Sequence, residues 1–342
     1  MHMSDSLISP AIGGGLWAVS LGLISYSVKK IVKKVNLKIV SLMGLLGAFI
    51  FALQMINFAI PGTGSSGHLG GGLVLSIFLG PYAAFLVMSL ILFVQAVFFA
   101  DGGLLALGCN IFNLGFFTCF IAYPLIYQKI TIDQSNKWRL VLGSTLAAII
   151  GLQLGAFGVV TQTFFSGLVN LSFSKFLSLM QPIHLAIGLG EGLATAFLVL
   201  LVNKVQPAFI SKKDFSLFVL PQKKLAFAFL LAAILFGSFF SSLASSKPDG
   251  LEWSVAKVSS LPASKQLDPN QTIHHFSEEF QKKIAFLPDY DFRTNYDQKN
   301  EAEKSNSIIH WGTSLSGLMG GFLIMFFSLL SGFILIKFQK SS

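Results

Sequence analysis

The stretch YAAFLVMSLILFVQAVFFA, residues 82–100, contains no charged side chain and is long enough to cross a bilayer as a helix. A transmembrane helix needs about 20 apolar residues, because a helix rises about 1.5 Å per residue and the hydrocarbon core is about 30 Å thick. The nine predicted spans are residues 11–28, 38–60, 69–80, 82–100, 103–128, 138–163, 176–203, 225–243 and 312–336. The sequence therefore predicts an all-α polytopic membrane protein with about nine transmembrane helices. The short, glycine-rich run 69–80 is alternatively a tilted or re-entrant helix.

The composition of the 342-residue chain supports this class, because 53% of the residues are hydrophobic and only 11% are charged. Soluble domains carry about 25% charged residues, which disfavours a soluble enzyme, a disordered chain and a secreted disulfide-rich domain. The net charge of +9 does not indicate nucleic-acid binding, because most Lys and Arg residues lie at the ends of apolar runs. We expect the chain to contact membrane lipid and no nucleic acid.

Positive charge orients the predicted spans. Basic connections follow the first, fifth, seventh and ninth spans, and the positive-inside rule places such connections in the cytoplasm. With nine spans, all four connections lie on one side, so the N-terminus is predicted outside and the C-terminus in the cytoplasm. The lysines follow the first apolar run instead of preceding it, which is unlike a signal peptide, so we expect Met1 to remain on the outer face.

The runs and loops divide the chain into two predicted domains. Residues 1–205 form a seven-span domain, and residues 206–224 form a basic cytoplasmic linker that contains Pro207 and Pro221. Residues 225–342 form a two-span domain around the hydrophilic loop 244–311. This loop carries 10 acidic and 8 basic residues, and it is predicted to be a small, partly ordered extracytoplasmic element.

The first two residues, Met1 and His2, offer a metal ion three nitrogens: the α-amine, the His2 main-chain amide and the His2 imidazole Nδ1. These atoms close a five-membered and a six-membered chelate ring in one plane. His68 lies in the glycine-rich loop PGTGSSGHLGGG, residues 61–72, on the same predicted side, and it can add a fourth nitrogen. A square-planar set of nitrogens is typical of Ni(II) or Cu(II). The alternatives are that His2 lies in a solvated terminus and His68 in an exposed turn.

Polar residues inside the predicted spans form a second group of candidates. His184 and Glu191 are seven residues apart, on nearly the same face of one helix. A carboxylate within a membrane is costly and indicates function by default, although we favour a role in locking helices together. Gln54 and Asn57 are expected to form hydrogen bonds between helices instead of binding an ion directly. We therefore treat all four as candidates for support behind the metal ligands.

Other motifs carry no predicted chemistry. His274 and His275 lie in the long loop, where histidines are usually exposed, and no metal site is predicted there. No G-x-x-x-x-G-K-[ST] sequence occurs, so we expect no ATP binding by a P-loop. No Ser/His/Asp set or carboxylate pair stands out.

The chain resembles a known family at these residues. The stretches MHMSDSLISP (1–10), QMINFAIPGTGSSGHLGGG (54–72) and HLAIGLGEG (184–192) resemble the substrate-specificity (S) component of cobalt/nickel energy-coupling-factor (ECF) transporters. The stretches PDGLEWSVAKV (248–258) and AFLPDYDF (285–292) are similar to the small auxiliary N component of that system. The whole chain is thus similar to a fusion of these two components.

The resemblance implies a function and a set of partners. It implies that Met1, His2 and His68 bind Ni²⁺ or Co²⁺ in a planar all-nitrogen site, with the ion as transported substrate and no organic cofactor. It also implies seven spans followed by two, in a multi-pass protein of a prokaryotic cell (inner) membrane. A transmembrane coupling protein and two cytosolic ATPases are the implied partners, so the chain itself is not expected to be an enzyme.

Three other functions stay open at this point. The chain is alternatively an S component for an organic vitamin, an intramembrane metal-dependent enzyme that uses His184 and Glu191, or a stand-alone channel or secondary carrier. Nickel and cobalt are not distinguished, because both accept nitrogen-rich sites and selection depends on geometry and availability.

Overall fold

The computed structural model describes residues 1–133, 136–210, 221–259, 272–292 and 311–341. Most of these residues are helical. We label the helices α1 (Pro10–Ile31), α2 (Leu37–Gln54), α3 (Gly72–Leu79), α4 (Pro81–Phe99), α5 (Leu107–Ile130), α6 (Lys137–Ser166), α7 (Phe173–Val205), α8 (Pro207–Ile210), α9 (Lys223–Ser238), α10 (Gly250–Val258), α11 (Thr272–Ile284) and α12 (Trp311–Ser341). Two short strands, β1 (Phe58–Ala59) and β2 (Ser66–Gly67), pair antiparallel between α2 and α3.

Within the described residues, seven helices are long and apolar enough to cross a membrane: α1, α2, α4, α5, α6, α7 and α12. The prediction of an all-α polytopic membrane protein is confirmed, whereas the count of nine spans is not. The predicted span 69–80 contains α3, which has 8 residues and is about 12 Å long. It ends at Gly80, whose φ of 76° breaks the helix before Pro81. The predicted span 225–243 contains α9, which has 16 residues and is about 24 Å long. The orientation of the termini stays a prediction.

Small residues bring the long helices of the first domain into close contact. A Cβ at Gly188 or Gly192 of α7 would fall on the main chain of Ile149 or Thr145 in α6. Without a hydrophobic driving force between helices in lipid, such close approach is a main source of packing energy. The α6–α7 pair therefore forms a rigid wall at one side of the domain.

The second predicted domain packs directly on the first. Gly320 and Gly332 of α12 lie against Phe51 and Val40 of α2. α9 packs beside α12, where Ser314 Oγ donates to the Ser238 carbonyl oxygen at 2.6 Å. The boundaries 1–205 and 225–342 stay predictions, and residues 211–220 of the predicted linker lie outside the described residues.

The hydrophilic loop 244–311 contains ordered elements where it is described, and residues 260–271 and 293–310 lie outside the described residues. α10 begins at a capping box, in which Glu252 N donates to Asp249 Oδ1 at 2.7 Å and Asp249 N donates to Glu252 Oε2 at 3.3 Å. Such a cap satisfies main-chain N–H groups that have no partner within the helix. A short helical turn, Pro288–Tyr290, follows α11. The side chain of Tyr290 stacks on Phe99 of α4, with ring centroids 5.0 Å apart.

Candidate metal site

The N-terminal segment, residues 1–9, folds into the protein instead of fraying into solvent. Met3 is completely buried, and its main-chain N–H donates to Asn110 Oδ1 at 2.8 Å. The Met3 carbonyl oxygen accepts from Asn110 Nδ2 at 3.2 Å and from Gly103 N at 2.9 Å. The His2 side chain is only 6% exposed, so the alternative of a solvated terminus is wrong.

The second domain also contacts this segment. Asp5 accepts from Ala106 N at 2.9 Å and from Ser277 Oγ of α11 at 2.5 Å. His274 Nε2 donates to the Ile8 carbonyl oxygen at 2.9 Å, and His274 is 2% exposed. We expected both loop histidines to be exposed. His275 is exposed, but His274 is buried because α11 lies against the N-terminal segment.

The amino group of Met1 faces a carboxylate of the second domain. Met1 N lies 3.3 Å from Asp249 Oδ2, at the start of α10. Burial raises the pKa of the Asp249 carboxyl, but the Met1 ammonium group and the Glu252 main-chain N–H outweigh it, so this pKa lies below its usual value. Asp249 is therefore ionised at neutral pH and attracts positive charge to the terminus.

His2 and His68 come together although 65 residues separate them in the sequence. Their rings stack, with centroids 5.2 Å apart and planes inclined by 18°. His2 Nε2 lies 3.1 Å from Gln95 Oε1, and His2 Nδ1 lies 3.4 Å from Asp101 Oδ1. The alternative of an exposed turn at His68 is also wrong, since its ring packs on His2 beside the buried terminus.

A small cavity lies beside His68 and Met1. It leaves about 10 Å³ for the centre of a water-sized sphere, which is room for one ion or one water molecule. Its lining comes from the terminus, the His68 loop, α5, α6, α7 and the start of α10. The lining residues are Met1, Gly67, His68, Gly70, Leu114, Leu152, His184, Ile187, Asp249 and Gly250.

Both site histidines are held in the neutral form. Burial, followed by the charge of the Met1 ammonium group, lowers the pKa of His2 to about 3 and the pKa of His68 to about 4. His68 Nδ1 donates to the Leu69 carbonyl oxygen at 3.1 Å, which leaves the lone pair of His68 on Nε2. Neutral imidazole is the form that binds metals, so no proton has to leave either ring at neutral pH.

Glu191 anchors the His68 loop through its main chain. Its Oε2 accepts from Gly70 N at 2.7 Å and its Oε1 accepts from Gly71 N at 3.1 Å. Gly71 has a φ of 79°, a conformation that favours glycine. Glu191 thus uses both carboxylate oxygens to position the loop, and its supporting role behind the metal ligands stays a prediction.

The other supporting candidates take separate positions. Gln54 contacts the His68 loop, where its Nε2 donates to the Gly70 carbonyl oxygen at 2.7 Å. His184 borders the small cavity and donates from Nδ1 to the Met180 carbonyl oxygen at 2.7 Å. Asn57 lies apart from them at the contact with the second domain, where its main-chain oxygen accepts from Ser245 N at 2.8 Å.

Three residues of the site, Gln95, Asp101 and Asp249, are absent from the candidates taken from the sequence. All three contact Met1 or His2. One signal was available for Gln95, a polar side chain within a charge-free apolar run. No local signal predicts the approach of Asp249, because it comes from another domain.

The described part of the chain contains no group of three or more His, Cys, Asp or Glu side chains that could hold a metal ion. The Met1 amine and the His2 main-chain amide are two further nitrogens that adjoin the His2 ring in the chain.

Comparison with known proteins decides the family. The CbiM family, described as the cobalt uptake substrate-specific transmembrane region, matches residues 2–209, more than half of the chain. The chain belongs to this family. The PDGLE domain matches residues 223–337, so the chain joins a CbiM-type S component to an N component. The resemblance stated from the sequence is confirmed.

Relatives with both parts exist in archaea and bacteria. A putative fused nickel transport protein NikMN of Archaeoglobus fulgidus is 33% identical over 249 residues, which are 70% of this chain and 76% of the relative. The fused nickel transport protein NikMN of Rhodobacter capsulatus is 29% identical over 225 residues, 62% of this chain and 65% of the relative.

The chain also matches a solved structure. A crystal structure of a transition metal transporter is 30% identical, with a TM-score of 0.53, and the match covers 60% of this chain and 93% of the solved one. Together with the seven apolar helices, these relatives identify the chain as a multi-pass membrane protein of a prokaryote, in a family of metal transporters.

Proposed function

We propose that this CbiM-family chain is the substrate-binding membrane subunit of an ATP-driven importer of Ni²⁺ or Co²⁺. The ion binds on the outer face to the Met1 amine, the His2 amide nitrogen, His2 Nδ1 and one nitrogen of His68. The observation that carries this proposal is the burial of the Met1 amino group and the stacked rings of His2 and His68 in one cluster.

The charges around this nitrogen set suit a divalent cation. Binding of the ion displaces one proton from the Met1 ammonium group and the proton of the His2 amide, so the neutral amine, the ion and the deprotonated amide together carry one net positive charge. The carboxyl groups of Asp249 and Asp101 lie next to the Met1 amine and His2 Nδ1. The negative charge of Asp249 stabilises the complex without replacing a nitrogen ligand.

The energy for transport comes from partners in this proposal. The sequence contains no P-loop motif, and relatives named as fused nickel transport proteins support a role in a larger transport system. The partners are a transmembrane coupling protein and a pair of cytosolic ATPases. Replacement of the P-loop lysine in both ATPases should abolish nickel uptake by cells and leave nickel binding to the purified chain unchanged. Uptake that persists would indicate a channel or a secondary carrier.

A change at the terminus tests the chelate directly. Purified protein that begins at Met1 should bind one nickel ion per chain, and an extension of a few residues before Met1 should abolish tight binding because it converts the amine into an amide. The same extension at the C-terminus is the control. Equal nickel content in both proteins would rule out the chelate.

Two histidine variants separate the ligand from its neighbours. His68→Ala should abolish tight binding, because it removes the fourth nitrogen. His275→Ala is the matched control, since this side chain is exposed and lies in α11. Nickel titration with an absorption spectrum reads both variants, and a weak yellow band indicates square-planar Ni(II). Tight binding by His68→Ala would contradict the proposal.

The alternatives make different predictions for the same protein. An organic vitamin does not fit the cavity of about 10 Å³ beside Met1 and His68, and a vitamin carrier would tolerate the N-terminal extension. An intramembrane enzyme needs a free carboxylate, whereas both oxygens of Glu191 hold the His68 loop. An organic molecule that copurifies with the protein, and that a vitamin displaces but nickel does not, would favour the vitamin carrier.

A further inference from the structure

A continuous series of hydrogen bonds joins the His68 loop to His2. Gln54 Nε2 donates to the Gly70 carbonyl oxygen at 2.7 Å, and Gln95 Nε2 donates to Gln54 Oε1 at 2.8 Å. Gln95 Oε1 then lies 3.1 Å from His2 Nε2. Gln54 is the last residue of α2 and is 5% exposed, while Gln95 in α4 is 1% exposed. The series is therefore shielded from water along its length.

The direction of each bond in this series follows from its first member. A carbonyl oxygen only accepts, so Gln54 has to present its NH₂ group to Gly70 and its oxygen to Gln95. Gln95 must then donate to that oxygen and present its own oxygen to His2. Because an amide oxygen only accepts, His2 has to carry its proton on Nε2.

The opposite tautomer of His2 leaves two acceptors face to face. With the proton on Nδ1, the lone pair of Nε2 would point at Gln95 Oε1. Rotating the side-chain amides of both Gln54 and Gln95 by 180° would only move the pair of facing acceptors to the Gly70 end of the series. There Gln54 Oε1 would face the Gly70 carbonyl oxygen. An unsatisfied buried acceptor pair is costly wherever it lies in the series.

We propose that Gln95 and Gln54 are positioning residues that hold His2 in the Nε2–H tautomer and so keep the lone pair of Nδ1 free for the metal ion. This inference rests on the proposed function in one respect, the use of Nδ1 as a ligand. The tautomer itself does not depend on any bound metal.

The same series couples the two histidine segments. Its starting point, the Gly70 carbonyl, lies two residues after His68, and Glu191 fixes that peptide by accepting from Gly70 N at 2.7 Å. The loop that places the His68 ring therefore also sets the proton position on His2. A displaced loop would therefore disturb both the position of the His68 ring and the position of the proton on His2.

Asp101 is the group that competes with Gln95 for the His2 proton. Its Oδ1 lies 3.4 Å from His2 Nδ1, and its Oδ2 accepts from the Tyr290 hydroxyl at 2.5 Å. A carboxylate attracts a proton to Nδ1. The hydrogen bond that His2 Nε2–H donates to Gln95 Oε1 is thus required to keep the proton on the far side of the ring.

The test reads the proton position in metal-free protein by ¹⁵N NMR of histidine-labelled chains in lipid nanodiscs. The His2 signals are assigned by their loss in His2→Ala. In the unaltered chain, Nδ1 of His2 should give the signal of an unprotonated imidazole nitrogen. Gln95→Met should move the proton to Nδ1, because Asp101 becomes the better partner. Gln153→Met, a glutamine of α6 that bonds the Gln181 carbonyl and not the site, should leave the His2 signals unchanged.

A double variant separates proton positioning from a packing role. Adding Asp101→Asn to Gln95→Met supplies an amide that accepts from Tyr290 and donates to His2 Nδ1, so the proton should return to Nε2. A loss of packing at Gln95 would not be repaired in this way. Gln54→Met removes the hydrogen-bond partner of Gln95, not of His2, and should shift the same signals by a smaller amount. It replaces Gln95→Met if that variant does not fold.

Nickel affinity gives the second measurement. Loss of a hydrogen bond behind a metal ligand costs about 10- to 100-fold in affinity, and we expect this loss for Gln95→Met. A protonated Nδ1 in the unaltered chain, or an unprotonated Nδ1 in both Gln95→Met and Gln54→Met, would overturn the proposal. If the N-terminal extension left nickel binding intact, the chelate would fail while the NMR result still decided the tautomer.

Discussion

The segments that carry His2 and His68 are held in place by different means. Residues 1–9 form hydrogen bonds with side chains from both domains, namely Asn110 of α5 and Ser277 of α11. The loop 66–71 is held through its main chain, mostly by Glu191 and by glycines that adopt its turns. The first segment depends on which side chains surround it, and the second depends on its backbone. We therefore expect a single substitution that disturbs the loop to abolish nickel binding, and a single substitution around the terminus to weaken it.

Removing the anchor of the loop should have the largest effect. Glu191→Leu leaves the N–H groups of Gly70 and Gly71 without acceptors, at a cost of about 1–3 kcal/mol for each. We expect loss of nickel binding and a lower melting temperature, both measured on purified protein. Glu191→Gln keeps one acceptor, so its nickel affinity and melting temperature should lie between those of the unaltered chain and those of Glu191→Leu. Nickel binding that survives in Glu191→Leu would show that the loop is held by other contacts.

A methyl group in the loop should have the next largest effect. Gly71→Ala forces a residue with a Cβ into positive φ, which costs about 1–2 kcal/mol, and places that Cβ against Ile50. Gly62→Ala is the matched control, because Gly62 also has positive φ but has no atom near its Cβ position. Thermal unfolding should show a loss of stability in both variants. Nickel titration should show a loss of affinity only for Gly71→Ala. Equal affinities would mean that the backbone of the loop does not limit binding.

A graded effect is expected at the terminus. Asn110→Leu removes two hydrogen bonds to the main chain of Met3, and we expect nickel affinity to fall by about 10- to 100-fold. Gln162→Met breaks a buried hydrogen-bonded pair with Asn113 between α5 and α6 and should lower stability without this loss of affinity. Calorimetry measures both variants, and an unchanged affinity in Asn110→Leu would contradict the role of the Met3 contacts.

The contact from the second domain should have the smallest effect. His274→Phe removes one hydrogen bond to the Ile8 carbonyl oxygen, worth about 0.5–1.5 kcal/mol, so nickel should dissociate about 2- to 12-fold faster. His275→Phe, at the exposed neighbouring position, is the control. The two dissociation rates are read after mixing with a chelator. Equal dissociation rates for the two variants would show that the hydrogen bond from His274 does not stabilise the N-terminal segment around the bound ion.

The sequence points to the ligand candidates because their signals are local, and their role as ligands stays a prediction. Met1 and His2 are adjacent, and His68 lies in a loop marked by glycines. The all-α membrane class followed from long charge-free runs such as residues 82–100. Helix length was harder to predict at residues 69–80, where hydropathy continues through Gly80 but the backbone turns there.

The surroundings of the site could not be predicted in the same way. Asp249 meets Met1 across 248 residues of sequence, and His274 is buried only because α11 packs on residues 1–9. Such contacts depend on how two domains dock, which has no periodic signal. Gln95 is intermediate, since a polar residue in an apolar span indicates a partner without naming it.

X-ray absorption at the nickel edge tests the central claim most directly, because it counts the ligands of the bound ion. We predict a four-coordinate planar site with four nitrogen donors, two of them imidazoles, in protein that begins at Met1. Protein extended before Met1 should show no such site. A six-coordinate site rich in oxygen, or the same spectrum in both proteins, would contradict the account.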